Sequence, residues 1–146
     1  MKTNNEGIAL IKEAEGCALQ AYPDPATGGI PWTIGYGSTK GVFPGMKITQ
    51  GEAESRLIED VTAIETALDE FNPAFNENQY SAFVCFAYNI KHWADTPIFE
   101  SVLRRDWTSV MSRWPKYCKA DGKEMPGLLR RRIDELALFK KPPLSK

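Results

Sequence analysis

Apolar residues recur at helical spacing through most of this chain and alternate at strand spacing in one short run. Ile8, Ile11 and Ala14, with Leu10 beside them, predict a helix over 3–15. Thr3, Asn4 or Asn5 can cap its start, and Gly16 supplies the stop. Leu19 to Tyr22 reads as short and extended, and Pro23 to Gly29 as loop by composition. From Ile30 to Tyr36 the alternation predicts a half-buried strand, with Ile30, Trp32, Ile34 and Tyr36 on one face and Pro31, Thr33 and Gly35 on the other. Thr33 then lies opposite the packed aromatics. A third short strand is expected around Lys40 to Met46, interrupted by Gly41 and Pro44.

Thr49-Gln50-Gly51-Glu52 is a capping box. The helix it opens carries Ala53, Leu57, Ile58, Val61, Ile64 and Leu68 on its apolar side. At roughly twenty residues it would be about 30 Å long, enough to serve as a strut between two small lobes. Asn72-Pro73 ends it. Asn76 to Gln79 offers a second cap, and the helix that follows is apolar nearly all round, as a central core helix is. Beyond the Pro97 break, Ile98 to Arg104 reads as a short helix, and Asp106 can cap another over 107–114. Residues 118–126 read as loop. Leu128, Leu129, Ile133, Leu136 and Phe139 make a final helix stopped by Pro142-Pro143, with the tail to Lys146 loosely held. The fold class is α+β, mainly helical, with one small antiparallel sheet.

Composition narrows the function. The chain has 146 residues and a formal net charge of −1, so it lacks the basic footprint that nucleic acid requires. No apolar run is long enough to span a bilayer, and 1–7 has no apolar core, so neither stable membrane association nor a secretory signal is expected. The cysteines are Cys17, Cys85 and Cys118, an odd number without the tight spacing of a disulfide framework or a zinc site. They are expected to be reduced thiols, with Cys85 a small core residue. His92 has no partner cluster, so neither metal nor cofactor is expected. Trp93, Trp107 and Trp114 read as core. The acidic stretch Glu52–Glu70 and the run Arg130-Arg131-Arg132 read as solvated helix faces, the arginines pairing with Asp134 or Glu135.

Two carboxylates stand out. Glu15 falls in the last turn of the first helix, where the macrodipole disfavours negative charge, which suits a general acid. Glu13, two residues earlier, points elsewhere. Asp24 sits in the Pro/Gly-rich loop that follows. A helix-terminal acid and a loop acid are the equipment of a carbohydrate hydrolase: one protonates the leaving oxygen, the other stays ionised and directs water or attacks.

Five blocks carry a wider resemblance: L-I-K-E-A-E-G at 10–16, A-Y-P-D at 21–24, T-I-G-Y-G at 33–37, N-Q-Y-S-A-F-V-C-F-A-Y-N at 78–89 and G-L-L-R-R-R-I-D-E-L-A-L-F at 127–139. In this order they resemble the T4-lysozyme-like phage lysozymes, and they span nearly the whole chain. The resemblance implies a lysozyme-like two-lobe fold: a sheet-bearing lobe over about 16–48, a connecting helix over about 50–70, and a helical lobe over about 76–140 plus the N-terminal helix. It implies catalytic roles for Glu15, Asp24 and Thr33, with Tyr36, Thr39 and Phe99 as substrate contacts. The interval from Asp24 to Thr33 is about three residues longer than the family's commoner pattern. Thr33 is matched by its T-I-G-Y-G context, and Thr27, closer to Asp24, remains a competitor. Ser38 stands where many relatives have histidine, so the ion pair such a histidine could make is expected to be missing. Ile90 stands where relatives often have glycine.

The function so implied is that of an endolysin: a muramidase cutting the β-1,4 bond between N-acetylmuramic acid and N-acetylglucosamine of bacterial peptidoglycan; T4-like members are read as inverting, which a wide carboxylate separation would support, while a short one would argue for retention. The whole chain is expected to be one catalytic unit and a monomer. It would be held in the host cytoplasm until lysis, then act in the periplasm on the wall, released by a separate holin. Two alternatives stay open. A lytic transglycosylase would use Glu15 and dispense with Asp24. A wall-binding or virion module would keep the fold without the reaction. Some phage lysozymes use a cysteine to hold the site shut, and Cys17 is two residues from Glu15, but a reduced thiol is the expectation for it.

Overall fold

The computed structural model describes residues 1–143; the expected loose tail therefore lies partly, at 144–146, outside the described residues. By compactness the chain divides into two units, Ile11–Ala63 and Met1–Leu10 together with Ile64 onward. Helices α1 (Asn5–Glu15) and α2 (Gln50–Asp69) each contribute to both.

In the Ile11–Ala63 unit, strand β1 (Ala18–Tyr22) pairs antiparallel with β2 (Thr33–Gly35), Ala18 opposite Gly35 and Tyr22 opposite Thr33, across an irregular register. The strand expected over 30–36 is thus reduced to three residues. Its first apolar position, Ile30, is 81% exposed, and Tyr36 lies in the turn after the strand. Gly35, with φ +64, bends the chain there, and Ile34 and Ser38 close the turn as a bridge. Only Ile34 and Tyr36 of the expected apolar face are buried. The third strand expected around 40–46 is replaced by turns. Gly41 and Gly45 take φ values of +70 and +85, a left-handed conformation incompatible with a continuing strand. Pairing resumes one residue later than expected, as a bridge from Lys47 to Gln20 flanked by Ala21 N–H to the Met46 carbonyl (2.9 Å) and Ile48 N–H to the Leu19 carbonyl (2.9 Å).

Helix α2 starts at its capping box. The Glu52 carboxylate accepts from Thr49 N–H at 2.8 Å, and the Thr49 hydroxyl accepts from Glu52 N–H at 3.1 Å. Ala53, Leu57 and Val61 are buried, as are Ile11 and Ile34 of the same unit, whereas Ile58, expected on the same stripe, is exposed. It falls one residue past Leu57, about 100° round the helix.

The other unit is built on α3 (Glu77–Asn89), buried from Tyr80 to Tyr88. Its capping box is complete: the Asn76 side chain accepts from Gln79 N–H at 2.8 Å, and the Gln79 side chain accepts from Asn76 N–H at 2.9 Å. Helix α3 packs chiefly against α6 (Pro126–Lys140), and α4 (Pro97–Leu103) against α5 (Trp107–Arg113). Phe83 is the centre of the aromatic packing, with the rings of Phe75, Phe86, Trp93, Phe99 and Trp114 within 6.0 Å. Asn4 caps α1, accepting from Gly7 N–H at 3.0 Å. Thr3 instead gives its N–H and hydroxyl to one Glu65 oxygen, both at 2.7 Å, which leaves Glu65 buried rather than on the solvated face expected of the acidic stretch. Gly7 has no room for a side chain: an added Cβ would meet Ser81 Cβ at 3.0 Å and Thr3 Cγ2 at 2.8 Å.

Three further expectations fail here. The loop expected over 118–126 contains a ribbon, β3 (Lys119–Ala120) with β4 (Lys123–Glu124), turned by Asp121 (φ +52) and Gly122 (φ +76). Asp-Gly is the dipeptide that such a hairpin turn selects. Nor is Arg132 solvated: it is 0% exposed and paired with Glu135 at 1%. The pairing of Arg131 and Arg132 with Glu135 is otherwise as expected. Ile133, expected on the apolar face of α6, is exposed.

Candidate active site

The residues singled out in the sequence divide between the units. Glu15, Asp24, Thr33, Tyr36 and Thr39 all belong to Ile11–Ala63, and Phe99 belongs to the other. Glu15 is the last residue of α1 and is half-buried. The helix stops behind it because Gly16 takes φ +66, its N–H still bonded to the Lys12 carbonyl at 2.9 Å. That turn directs the chain into β1, which ends at Tyr22.

Asp24, also half-buried, opens a closed loop. Its backbone N–H donates to the Gly29 carbonyl at 2.9 Å, and its carbonyl accepts from Thr27 N–H at 3.2 Å and Gly28 N–H at 2.7 Å. Its carboxylate is held more loosely. Oδ1 is 3.4 Å from Ala26 N–H, and Oδ2 is 3.4 Å from the Thr27 hydroxyl. The Thr27 hydroxyl also donates to the Ile30 carbonyl at 2.9 Å and accepts from Gly29 N–H at 3.2 Å. Thr33, half-buried at the start of β2, directs its hydroxyl to the Pro31 carbonyl at 3.4 Å.

Tyr22 joins this group without having been expected there. It lies opposite Thr33 in the sheet, two residues before Asp24, with its ring 37% exposed. Partial burial, and secondarily the charge of Glu15, push its phenol up from the ordinary tyrosine value. The phenol is therefore neutral at working pH.

A second polar group fixes Tyr36. Its hydroxyl donates to Glu54 at 2.9 Å and accepts from Gln50 at 2.9 Å; Lys12 pairs with Glu54 at 2.7 Å and sits 5.5 Å from the Tyr36 ring centre. The hydrogen bond from Lys12 lowers Glu54 below the usual carboxylate range, and Glu54 in turn raises Tyr36 and Lys12. The exposed Cys17 thiol reaches the edge of this group, 3.7 Å from Gln50 Oε1. Tyr36 is thus buried with its hydroxyl occupied, while Thr39 is exposed. Phe99 is 1% exposed, stacked on Phe83 and edge-on to Trp93. Ser38 is buried and donates its hydroxyl to the Asp60 carboxylate at 2.6 Å, a hydrogen bond where the ion pair of a histidine was expected to be missing. Among the described residues no group of three His, Cys, Asp or Glu side chains could hold a metal ion, and no helix is long and apolar enough to cross a membrane.

A helix-terminal Glu and a loop Asp within one compact unit can perform acid–base chemistry. Comparison with known proteins narrows the chemistry. Residues 12–135 match the family described as phage lysozyme. The chain is 34% identical over 146 residues to the endolysin of Acyrthosiphon pisum secondary endosymbiont phage 1, covering 95% of this chain and 98% of that protein. It is 36% identical to the endolysin of Lactococcus phage c2, covering 99% of this chain but 63% of that protein. Among solved structures, it is similar to the muramidase domain of SpmX from Asticaccaulis excentricus, with a TM-score of 0.85 and 28% identity, covering 97% of this chain and 99% of that one.

Proposed function

This chain belongs to the phage lysozyme family, and we propose how its residues do the family's work. It is a glycoside hydrolase of the muramidase type, an endolysin whose substrate is bacterial peptidoglycan. The bond cut is the β-1,4 link between N-acetylmuramic acid and N-acetylglucosamine.

Glu15 gives its proton to the glycosidic oxygen as the bond breaks, and Asp24 directs a water to the opposite face of the sugar, inverting the anomeric carbon. The observation that carries this assignment is the placing of Glu15 at the end of α1 and of Asp24 in its closed loop within one compact unit. Tyr22, kept neutral, bounds the acid on one side. Thr33, opposite Tyr22, offers its hydroxyl to the same face. Thr39 is exposed and can touch a sugar, whereas Tyr36 and Phe99, each within its own unit, are buried. The two lobes make one catalytic domain working as a monomer. Cytoplasmic residence before lysis and exit through a holin complete the reading; the wall is where it acts.

The test is digestion of purified peptidoglycan by the wild type, Glu15→Gln and Asp24→Asn, with the fragments weighed. Reducing ends that have gained one water, lost in both variants, are the expected result. Anhydro-sugar ends surviving in Asp24→Asn make it a transglycosylase, and wall binding without fragments makes it a binding module. Lysis timing with and without a co-expressed pore-forming protein tests the exit route: immediate lysis without the pore refutes it.

A further inference from the structure

The Asp24 carboxylate has two close neighbours in its loop, and both are long contacts: Ala26 N–H on Oδ1 and the Thr27 hydroxyl on Oδ2, each at 3.4 Å. Neither saturates the oxygen it touches, so lone pairs remain for water. The two contacts are not alike. The amide is fixed by the backbone, whereas a hydroxyl proton swings about its C–O bond without moving a heavy atom.

Thr27 has one proton and three neighbours. Gly29 N–H donates to it, which uses one lone pair. The proton goes to the Ile30 carbonyl, the shorter contact at 2.9 Å. Rotation alone turns it towards Asp24 Oδ2. Thr33, by contrast, has its printed hydroxyl contact on the Pro31 carbonyl, two residues back along its own strand. Hydrogen bonds that operate in catalysis are often long in the free enzyme and tighten once substrate is bound.

We propose that Thr27 is the positioning residue for Asp24: its hydroxyl, anchored by Gly29 N–H, turns its proton from the Ile30 carbonyl to Asp24 Oδ2 and fixes the carboxylate plane while water is directed to the sugar. This inference rests on Asp24 being the second carboxylate of the reaction. It assigns the fixing of the Asp24 carboxylate to the loop itself. The loop is built for the task, since Asp24, Thr27 and Gly29 are bonded to one another through backbone and side chain together.

The experiment is steady-state turnover of soluble peptidoglycan chains by the wild type, Asp24→Ala, Thr27→Val, Thr27→Ala and Thr27→Ser, with melting temperatures measured alongside. Thr27→Val should lower kcat about 10- to 100-fold with KM held within about twofold, the signature of a misplaced group rather than a lost binding contact. Thr27→Ala should do the same, which covers the case of a Val variant that melts early. Thr27→Ser, which keeps the hydroxyl, should recover most of the rate. Wild-type kcat in Thr27→Val or Thr27→Ala beside a dead Asp24→Ala overturns the role of Thr27 alone, as does a Ser variant as slow as the Val variant. A KM that rises in step with falling turnover makes Thr27 a binding or purely structural residue and also overturns it. Undiminished turnover in Asp24→Ala removes the assignment of Asp24, and this inference with it.

Discussion

The Asp24 loop of one unit and the Arg132–Glu135 pair of the other are both centred on a carboxylate, and they are held in opposite ways. Glu135 accepts from Arg132 Nη2 at 3.0 Å and from the Trp114 indole at 3.1 Å, has Arg132 Nε at ion-pair distance (2.9 Å), and is nearly sealed from solvent. Burial pushes its carboxyl up, against the pull of the arginines and the indole, and pushes Arg132 down. Asp24 is half open, its oxygens touched at 3.4 Å. A strongly perturbed acid often marks a reaction centre. Here the strongly perturbed acid is inaccessible, and the acid assigned to catalysis is loosely held. A carboxylate serving the fold has its lone pairs filled by protein, whereas one serving a reaction must leave some for water.

The variants that test this contrast differ in size. Glu15→Gln and Asp24→Asn should each cut turnover by about 10³-fold or more while leaving the melting temperature within a degree or so. A large loss of stability in either would erase the distinction. Glu135→Ala should do the reverse. It leaves Arg132 charged, buried and unpaired, at a cost of about 3–5 kcal/mol in denaturant unfolding. Protein that remains folded should turn over at the wild-type kcat. An intermediate case is Asn76, whose side chain fills a cap at the edge of the core. Asn76→Ala should cost about 1 kcal/mol and leave activity alone.

The smallest effect shows only in alkali. The Tyr80 phenol is raised by burial and by its 2.8 Å hydrogen bond to Asp69. An acid raised in the folded state favours folding fully below its unfolded value, about 10 for tyrosine, and loses that contribution as pH climbs above it. Stability should therefore fall above about pH 10 more steeply in the wild type than in Tyr80→Phe, measured by urea midpoints.

Helix positions and both capping boxes were legible from sequence because each depends on neighbours three or four residues away: Thr49 with Glu52, Asn76 with Gln79. The sheet was less so. The run 30–36 alternates well enough for a strand, but the stereochemistry of Gly35 and the exposure of Ile30 are set by where the chain turns. The missed ribbon at 119–124 had its signal in Asp121-Gly122, which composition alone had turned into loop. For the candidate site, Glu15 and Asp24 could be named from order and spacing. Tyr22 and the bonding of Thr27 needed coordinates, since the register Tyr22 to Thr33 skips residues irregularly. The burial of Arg132 was invisible because a run of three arginines reads alike whether or not one of them turns inward.

Of the three cysteines, Cys85 is sealed within α3, its thiol raised by burial and donating to the Gly7 carbonyl at 3.1 Å, and Cys118 is buried as well. Only Cys17 among them meets solvent, two residues beyond Glu15. A brief pulse of a maleimide dye should therefore attach one equivalent per folded chain, at a single known address, without mutagenesis. The native sequence already carries a fluorescence reporter position next to its proposed acid, from which the arrival and departure of glycan could be followed in real time.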